Sequence, residues 1–589
     1  MTHSHIADHA YPRPQLVRDT WISLNGPWDF ASEPTARWRT LPEVRWDKTI
    51  TVPFAPETPA SGVDDTGFHA VCWYRRTFDR PALGPDARLI LHFGAVDYAA
   101  TVWVNGTIAT RHEGGYTPFS ADITDYLIPD GPQSVVVRAD DDPHDLAKPR
   151  GKQDWQREPH AIWYPRTSGI WQTIWLEPVP ATSIRTIMWL PSLQRWEIGM
   201  EATLTGPLRD GLRLQVTLHA EGKLLADDHY TVLGGDVTRR IVLADPGIDD
   251  YRNELLWSPG RPTLIDADVY LWDGQGNLMD HVRSYTALRS AIVQGDRFML
   301  NGRPFPLRMV LDQGYWPESG LTAPDDAALR RDVELAKAMG FNGVRKHQKI
   351  EDPRYLYWAD RLGLLVWAEM PSAYRFTKNS VERVVRDWLA AMDRDLSHPC
   401  IIAWVPFNES WGVPDLPNIE AQRDYVRTLY HLTKTIDPDR PVIGNDGWES
   451  VATDIIAIHD YDDSLERLER RYSSPEAIPN LFKNALPAGR LVSLAAEQQK
   501  NQPIMLTEFG GLTFSRAPGA WGYSHTGSSE EFAERYAHLL AVVRSASLFA
   551  GFCYTQFADT YQETNGLLYA DRTPKFPLQE IRDATSGPL

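Results

Sequence analysis

The sequence predicts a multidomain β plus α/β protein, with antiparallel β domains in its first half and a (β/α)8 barrel in its second. Three observations carry this. Runs alternating in period two recur between turn signals up to about residue 290. From Phe298 onward, apolar strand-length runs alternate with amphipathic helical patterns. Two glutamates, Glu409 and Glu508, each end an apolar run that reads as a strand buried on both faces.

Up to about residue 180 the chain reads as all-β, with strands expected at Cys72–Phe78, Arg88–Phe93, Ala100–Val104 and Ser134–Arg138. Asn105-Gly106 between two such runs is a hairpin signal. The next hundred or so residues continue the style at Leu212–Leu218 and Ile265–Leu271, a length that suits an immunoglobulin-like β-sandwich. Neither segment shows a convincing amphipathic helix. Beyond Phe298, Leu329, Val333, Ala336 and Met339 fall at helical spacing and stop at Gly340. Asn379 is the expected cap of the next helix, with Glu382 completing a capping box; Val381, Val384, Val385, Trp388, Leu389 and Met392 line its apolar face. Eight strands are expected near Pro306–Val310, Asn342–Arg345, Leu364–Glu369, Ile401–Phe407, Pro441–Asn445, Ile455–His459, Ile504–Thr507 and Gly551–Gln556. Eight β-α alternations over roughly 290 residues are what the barrel requires. The expected domains are 1–181, 182–290 and 291–589.

A chain of 589 residues has room for three or four domains. Its net charge of −18 repels phosphate backbones and anionic lipid heads, so no nucleic acid or membrane partner is expected. The longest uncharged apolar runs are strand length, too short to span a bilayer. Met1 to Ala10 has neither a basic nor an apolar leader region. Cys72, Cys400 and Cys553 give no disulfide framework or zinc spacing, and a cytoplasmic location is expected. The 22 tryptophans suit sugar stacking, but core packing accounts for most of them.

Polar groups at the carboxyl ends of barrel strands are where such folds keep their chemistry, and two carboxyls so placed are the minimum for cleaving a glycosidic bond. Asn408-Glu409 suits the acid, with Asn408 holding a sugar hydroxyl. Glu508 suits the nucleophile, with Gly510 and Gly511 leaving room for ligand approach. The bland alternative pairs either glutamate with an arginine in a structural ion pair. Arg345 and His347 follow the second expected strand, Asn445 and Asp446 the fifth, His459 and Tyr461 the sixth. Arg345 is expected to hold Glu508 ionised. His347, His459, Tyr461 and Asp312 are candidate sugar contacts, each with an equally good supporting role behind the site. No cofactor or catalytic metal is expected. Gly151 to Trp155 reads as an ordinary surface loop, the alternative being a loop that shapes the barrel mouth.

In order along the chain, Leu24-Asn25-Gly26, Trp73-Tyr74-Arg75, Val102 to Gly106, Gly114 to Phe119 and Ser168 to Trp175 resemble the N-terminal domain of glycoside hydrolase family 2. Leu300-Asn301-Gly302 resembles the start of that family's barrel. Gly340 to His347, Asn408-Glu409-Ser410 and Thr507-Glu508-Phe509-Gly510 are similar to its strand-two, acid/base and nucleophile motifs. The resemblance to this β-galactosidase and β-glucuronidase family covers nearly the whole chain. It implies a jelly-roll, sugar-binding-like domain, an immunoglobulin-like sandwich and a TIM barrel. It also implies retention through a covalent glycosyl-Glu508 intermediate, an exo-acting enzyme on a glycoside or oligosaccharide, and a homo-oligomer. Departures fall where the sugar is chosen. Glu563-Thr564-Asn565-Gly566 stands where family glucuronidases carry Asn-X-Lys, and Asp312-Gln313-Gly314-Tyr315-Trp316 where galactosidases carry Asn-Arg-His. Gln556 ends a strand that often ends in tryptophan. Trp316 and Gln556 join the candidate sugar contacts. The expectation is a β-galactosidase-like enzyme; β-glucuronidase, β-mannosidase, arabinosidase and a non-catalytic carbohydrate-binding protein are the alternatives.

Overall fold

The computed structural model describes residues 9–33, 37–473, 481–482, 487–494, 501–515 and 520–587. The stretch read for a leader therefore lies, except for His9 and Ala10, outside the described residues. No described helix is long and apolar enough to cross a membrane.

In the first sandwich a four-stranded sheet (Ile22–Ser23, Ile174–Val179, Arg88–Phe93, Phe119–Asp122) packs on a six-stranded one. The six run in the order Lys48–Val52, Gly26–Ser32, Val71–Phe78, Gln133–Asp140, Ala99–Val104, Thr107–Glu113. Trp28, Tyr74, Val102 and Val137 meet Leu91, Phe93 and Leu176 in one core. Asn105 and Gly106 both take positive φ, 48° and 83°, as a two-residue hairpin turn demands. A second sandwich sets three strands (Ser183–Ser192, Glu197–Thr205, Asp236–Val242) over four (Lys223–Thr231, Arg213–Ala220, Ile265–Trp272, Leu278–Thr286). Met200, Ile241, Leu214, Val216 and Val269 fill it. It carries one short helix, Asp249–Leu255, absent from the expected pattern because none of its side chains is buried.

The third part is a parallel sheet of seven strands, in the order Ile401–Val405, Leu365–Glu369, Gly343–Lys346, Leu307–Asp312, Phe549–Tyr554, Ile504–Phe509, Ile456–Asp460. The strand expected at Pro441–Asn445 is replaced by isolated bridges, Trp404 to Val442 and Asn408 to Asp446. Pro441 has no N–H to donate. Gly444 passes so close to the Ala452 carbonyl that a side chain there would collide with it. The gap is bound all the same: Ile443 N donates to Trp404 O and Asp446 N to Phe407 O, both at 2.9 Å.

The helix Asp326–Ala338 starts at an Asp325 cap that accepts from Ala328 N at 2.7 Å, and it stops before Gly340 at φ 87°. The next expectation needs correction. Helix Lys378–Asp395 is capped by Thr377, not Asn379, because Thr377 and Ser380 satisfy each other's amides at 3.1 and 2.9 Å. Val384, Trp388 and Met392 form its buried face as read from the spacing.

The Gly151 to Trp155 stretch is no ordinary surface loop. Arg150 N donates to Ser372 O at 3.0 Å, and Tyr374 OH donates to Gly151 O, seating the loop on the barrel mouth. Gly151 has φ 59°, and a Cβ there would run into the Gln348 carbonyl. Gly106 shares the positive φ but faces open space. Gly106→Ala is therefore expected to cost about 1–2 kcal/mol, the backbone strain alone. Gly151→Ala should cost clearly more, because the loop must also lift. Urea denaturation of the two variants compares them; equal losses would contradict the seating described.

Candidate active site

Glu409 follows the strand Ile401–Val405 through a turn in which Glu409 and Ser410 both have left-handed φ, 51° and 58°. Such residues cost of order 1–3 kcal/mol each and persist only when their surroundings fix them. Here Glu409 N donates to Asp446 O at 2.9 Å, Trp411 N to Asn408 O at 2.9 Å, and Ser410 N to Asn445 Oδ1 at 3.0 Å. Asn445 also donates to Ser410 Oγ and Trp448 O, so its side chain pins this turn.

Glu508 lies in the strand Ile504–Phe509, with its side chain almost fully buried. Arg345 Nη1 donates to Oε1 at 2.9 Å, and Tyr461 OH donates to Oε2 at 2.7 Å. His459 joins the two glutamates. Its Nδ1 lies 2.8 Å from Glu409 Oε1 and 3.5 Å from Glu508 Oε2, while Nε2 lies 2.9 Å from Asp446 Oδ1. One ligating atom each from Glu409, His459 and Glu508 fall within 4.8 Å of one another.

The charges explain this closeness. Burial works against ionisation of Glu508, but His459 and then Arg345 draw its carboxyl below the usual range. Burial also disfavours the charged imidazole of His459, yet Glu508, Asp446 and Glu409 push it up to about 10. Asp446 is held low by Arg345 and His459 against its own burial. His347 goes the other way: burial, Lys152 and Arg345 push it well below the ordinary histidine value. Its Nδ1 lies 3.0 Å from Glu369 Oε1 but out of hydrogen-bond alignment.

Arg345 also donates to Glu369 Oε2 at 2.7 Å and to Asn408 Oδ1 at 2.6 Å. That leaves the buried Asn408 Nδ2 as an unused donor. Arg345, Asn408, Asp446, His459 and Tyr461 thus meet the two glutamates directly or through one intervening side chain. Three other candidates are taken up elsewhere. Asp312 accepts from Lys346 Nζ at 2.7 Å and Gly314 N at 2.9 Å. Trp316 is 6% exposed, with Lys349 and Arg572 about its ring at 5.1 and 5.0 Å. Gln556 bonds Gln313 at 3.0 Å and Asn565 at 2.6 Å. Gly510 and Gly511 do not leave room for ligand; the rings of Tyr554 and Tyr523 occupy the space a Cβ would need.

Glu369 and Tyr523 escaped the sequence reading, while Glu563 and Lys152 lie in stretches it singled out without giving either residue a role at the site. Glu369 ends the strand Leu365–Glu369, and the rule that picked out Glu409 applies to it equally. Tyr523 stacks on Tyr461 with centroids 3.5 Å apart. Glu563 accepts from Tyr164 OH of the first sandwich and from Asn565 Nδ2, and burial raises its carboxyl. Lys152 reaches the barrel from the seated loop, its ammonium 4.9 Å from the Trp411 ring. For Lys152 the placement fits the alternative reading of its loop as one that shapes the barrel mouth; nothing in the local sequence of Tyr164 signals its own. For metals, Asp360, His398 and Cys400 form a second group of three ligating atoms within 4.8 Å. In both groups an imidazole nitrogen is already hydrogen-bonded to a carboxylate. A separate cleft of about 1050 Å³, lined by Arg13, Arg88, Trp175, Arg209 and Asp352 among others, contains neither glutamate.

Residues 291–587 match the family model for the TIM barrel domain of glycosyl hydrolases family 2, and residues 22–141 that for its sugar binding domain. A β-galactosidase of Thermoanaerobacter pseudethanolicus is 26% identical over 409 residues, 67% of this chain and 51% of that one. The chain thus spans about half of that relative's length. A β-glucuronidase of Paenibacillus borealis is 26% identical over 471 residues, covering 73% and 74%. Among solved structures, a β-D-glucuronidase of Dictyoglomus thermophilum superposes with TM-score 0.77 at 19% identity over 98% and 99% of the two chains. A β-galacturonidase of Eisenbergiella tayi bound to galacturonate gives 0.74 at 19%, with the same coverage. At such identities the structural likeness speaks for the fold.

The raised His459 makes stability depend on pH in a definite sense. Its pKa is about 10 folded and about 6.5 unfolded, so its contribution is complete below 6.5 and lost as pH rises through 10. Thermal unfolding midpoints of the native protein should therefore fall between pH 6.5 and 10 relative to those of His459→Gln. Parallel curves would contradict the assigned charge.

Proposed function

Because this chain belongs to glycosyl hydrolases family 2, we propose that it is a retaining exo-β-glycosidase releasing one terminal sugar, β-galactosidase-like in the sugar it takes. The observation that carries the reading is the imidazole of His459 lying against Glu409 and Glu508 at once. Carboxyl groups about 5–5.5 Å apart suit retention, and those about 6.5–9.5 Å apart suit inversion. Atoms within 4.8 Å of one another favour the former.

Glu508 is the nucleophile. Arg345 and Tyr461 each occupy one of its oxygens and hold the carboxylate in place and ionised. In the first step Glu409, in its acid form, protonates the departing glycosidic oxygen as Glu508 attacks the anomeric carbon. The C–O bond breaks and a glycosyl ester forms on Glu508. In the second step the Glu409 carboxylate takes a proton from water, whose oxygen attacks the same carbon and frees Glu508. Asn408 Nδ2 offers a hydrogen bond to a sugar hydroxyl beside the reacting carbon. Both carboxylates are present and hydrogen-bonded, Glu409 with His459 and Glu508 with Arg345 and Tyr461, which favours an enzyme over a carbohydrate-binding relic.

The Thermoanaerobacter relative and the missing lysine in Glu563 to Gly566 support the galactoside reading. A β-glucuronide reading is favoured by the Paenibacillus relative, which matches over 73% of this chain and 74% of that one. A panel of nitrophenyl β-glycosides, including mannoside and arabinoside, separates these. For the mechanism, Glu508→Ala and Glu409→Ala should each lower kcat/KM by about 10³-fold or more. Azide should rescue Glu409→Ala to give the β-glycosyl azide and Glu508→Ala to give the α-azide. A 2-deoxy-2-fluoro glycoside should label Glu508; a label on another residue would refute the assignment.

A further inference from the structure

Five lysines are buried among the described residues, and four have oxygen partners. Lys148 pairs with Asp141, and Lys346 with Asp312 and Glu351 at 2.7 Å each. Lys349 donates to Gly314 O and Leu321 O at 2.7 and 2.8 Å, and Lys575 to Asp559 and Thr564 O at 2.7 and 2.8 Å. Lys152, 6% exposed, is the exception. Its ammonium faces the Trp411 ring, and no described oxygen lies within hydrogen-bond or ion-pair reach. A ring face attracts a cation but accepts none of its three N–H groups as an oxygen would. A lysine this enclosed, whose ammonium meets a ring and no protein oxygen, leaves its N–H groups open to an acceptor that arrives from outside.

The position of Lys152 says what arrives. The ammonium is near enough to act on Glu508, His347 and Glu563, the groups around the proposed sugar, and Trp411 lies two residues beyond Glu409. Its backbone is held firmly: Tyr164 N donates to Lys152 O at 2.9 Å, and the neighbouring Arg150 and Gly151 are bonded to Ser372 and Tyr374. We propose that Lys152 is a specificity-determining substrate contact. From the first sandwich it donates to an oxygen of the terminal sugar lying between Glu409 and Glu508, whether a hydroxyl or a carboxylate. The inference rests on the glycosidase reading above and adds a residue from a different domain to the site.

The test compares native protein with Lys152→Met and Lys152→Gln on a neutral nitrophenyl β-hexoside and the matching β-hexuronide. The preferred sugar should lose at least about tenfold in kcat/KM, mainly through KM, and the ratio between the two sugars should fall with it. A loss concentrated on the hexuronide identifies a carboxylate partner, and one concentrated on the hexoside a hydroxyl. An equal loss on both, or none, overturns the proposal, since a loosened loop would harm every substrate alike. Calorimetric binding of free galactose and galacturonate to native and Lys152→Met protein reads the contact without turnover. Should the native protein hydrolyse no glycoside, the function fails there, while the binding difference still decides Lys152.

Discussion

A single guanidinium organises the barrel mouth. Arg345 is fully buried, and donates to Glu369, Glu508 and Asn408 with Asp446 a further 3.5 Å from its Nε. Burial works against ionisation of both Glu508 and Asp446, and Arg345 is among the charges that hold them below the usual carboxylate range. A planar, always-charged fork with five donors resolves the conflict and fixes their directions. The strand Gly343–Lys346 that carries it is bonded on both sides within the parallel sheet. Arg345 therefore transmits the rigidity of the sheet to the groups above it.

His459 divides the remaining work. Its charge is shared between a fully buried Asp446 and two glutamates that differ in exposure; the Glu409 side chain is 16% exposed and that of Glu508 6%. The more open glutamate sits on the strained turn, and the more enclosed one within a regular strand. That asymmetry suits the two roles proposed for them, one exchanging protons with a leaving group and water, the other forming and breaking a bond to carbon.

Much of this was legible in the chain. Apolar runs ending in a polar residue picked out the strands bearing Glu409, Glu508, Arg345 and His459, since a parallel sheet buried on both faces leaves only its ends for chemistry. Period-two alternation picked out both sandwiches. The losses have physical causes. Pro441 and Gly444 sit in a run that reads as a strand but cannot ladder as one. Thr377 and Asn379 are both good caps by type, and only the reciprocal bond with Ser380 chooses between them. Gly510 and Gly511 look like room for a ligand, when the room belongs to Tyr554 and Tyr523. Tyr164 and Glu563 bond across a separation of 399 residues, and no local pattern encodes a contact made by one domain docking on another.

The bare backbone at Gly151 has a wider consequence. With the Gln348 carbonyl occupying the space of a side chain, the sandwich and the barrel are fitted to each other at the level of a single methyl group. The two parts are thus poor candidates for exchange with unrelated modules. A gene fusion that kept the barrel intact and supplied a different front domain would keep Glu409 and Glu508 but lose the loop seated on the barrel mouth beside them. In this molecule recombination is constrained by a hydrogen atom.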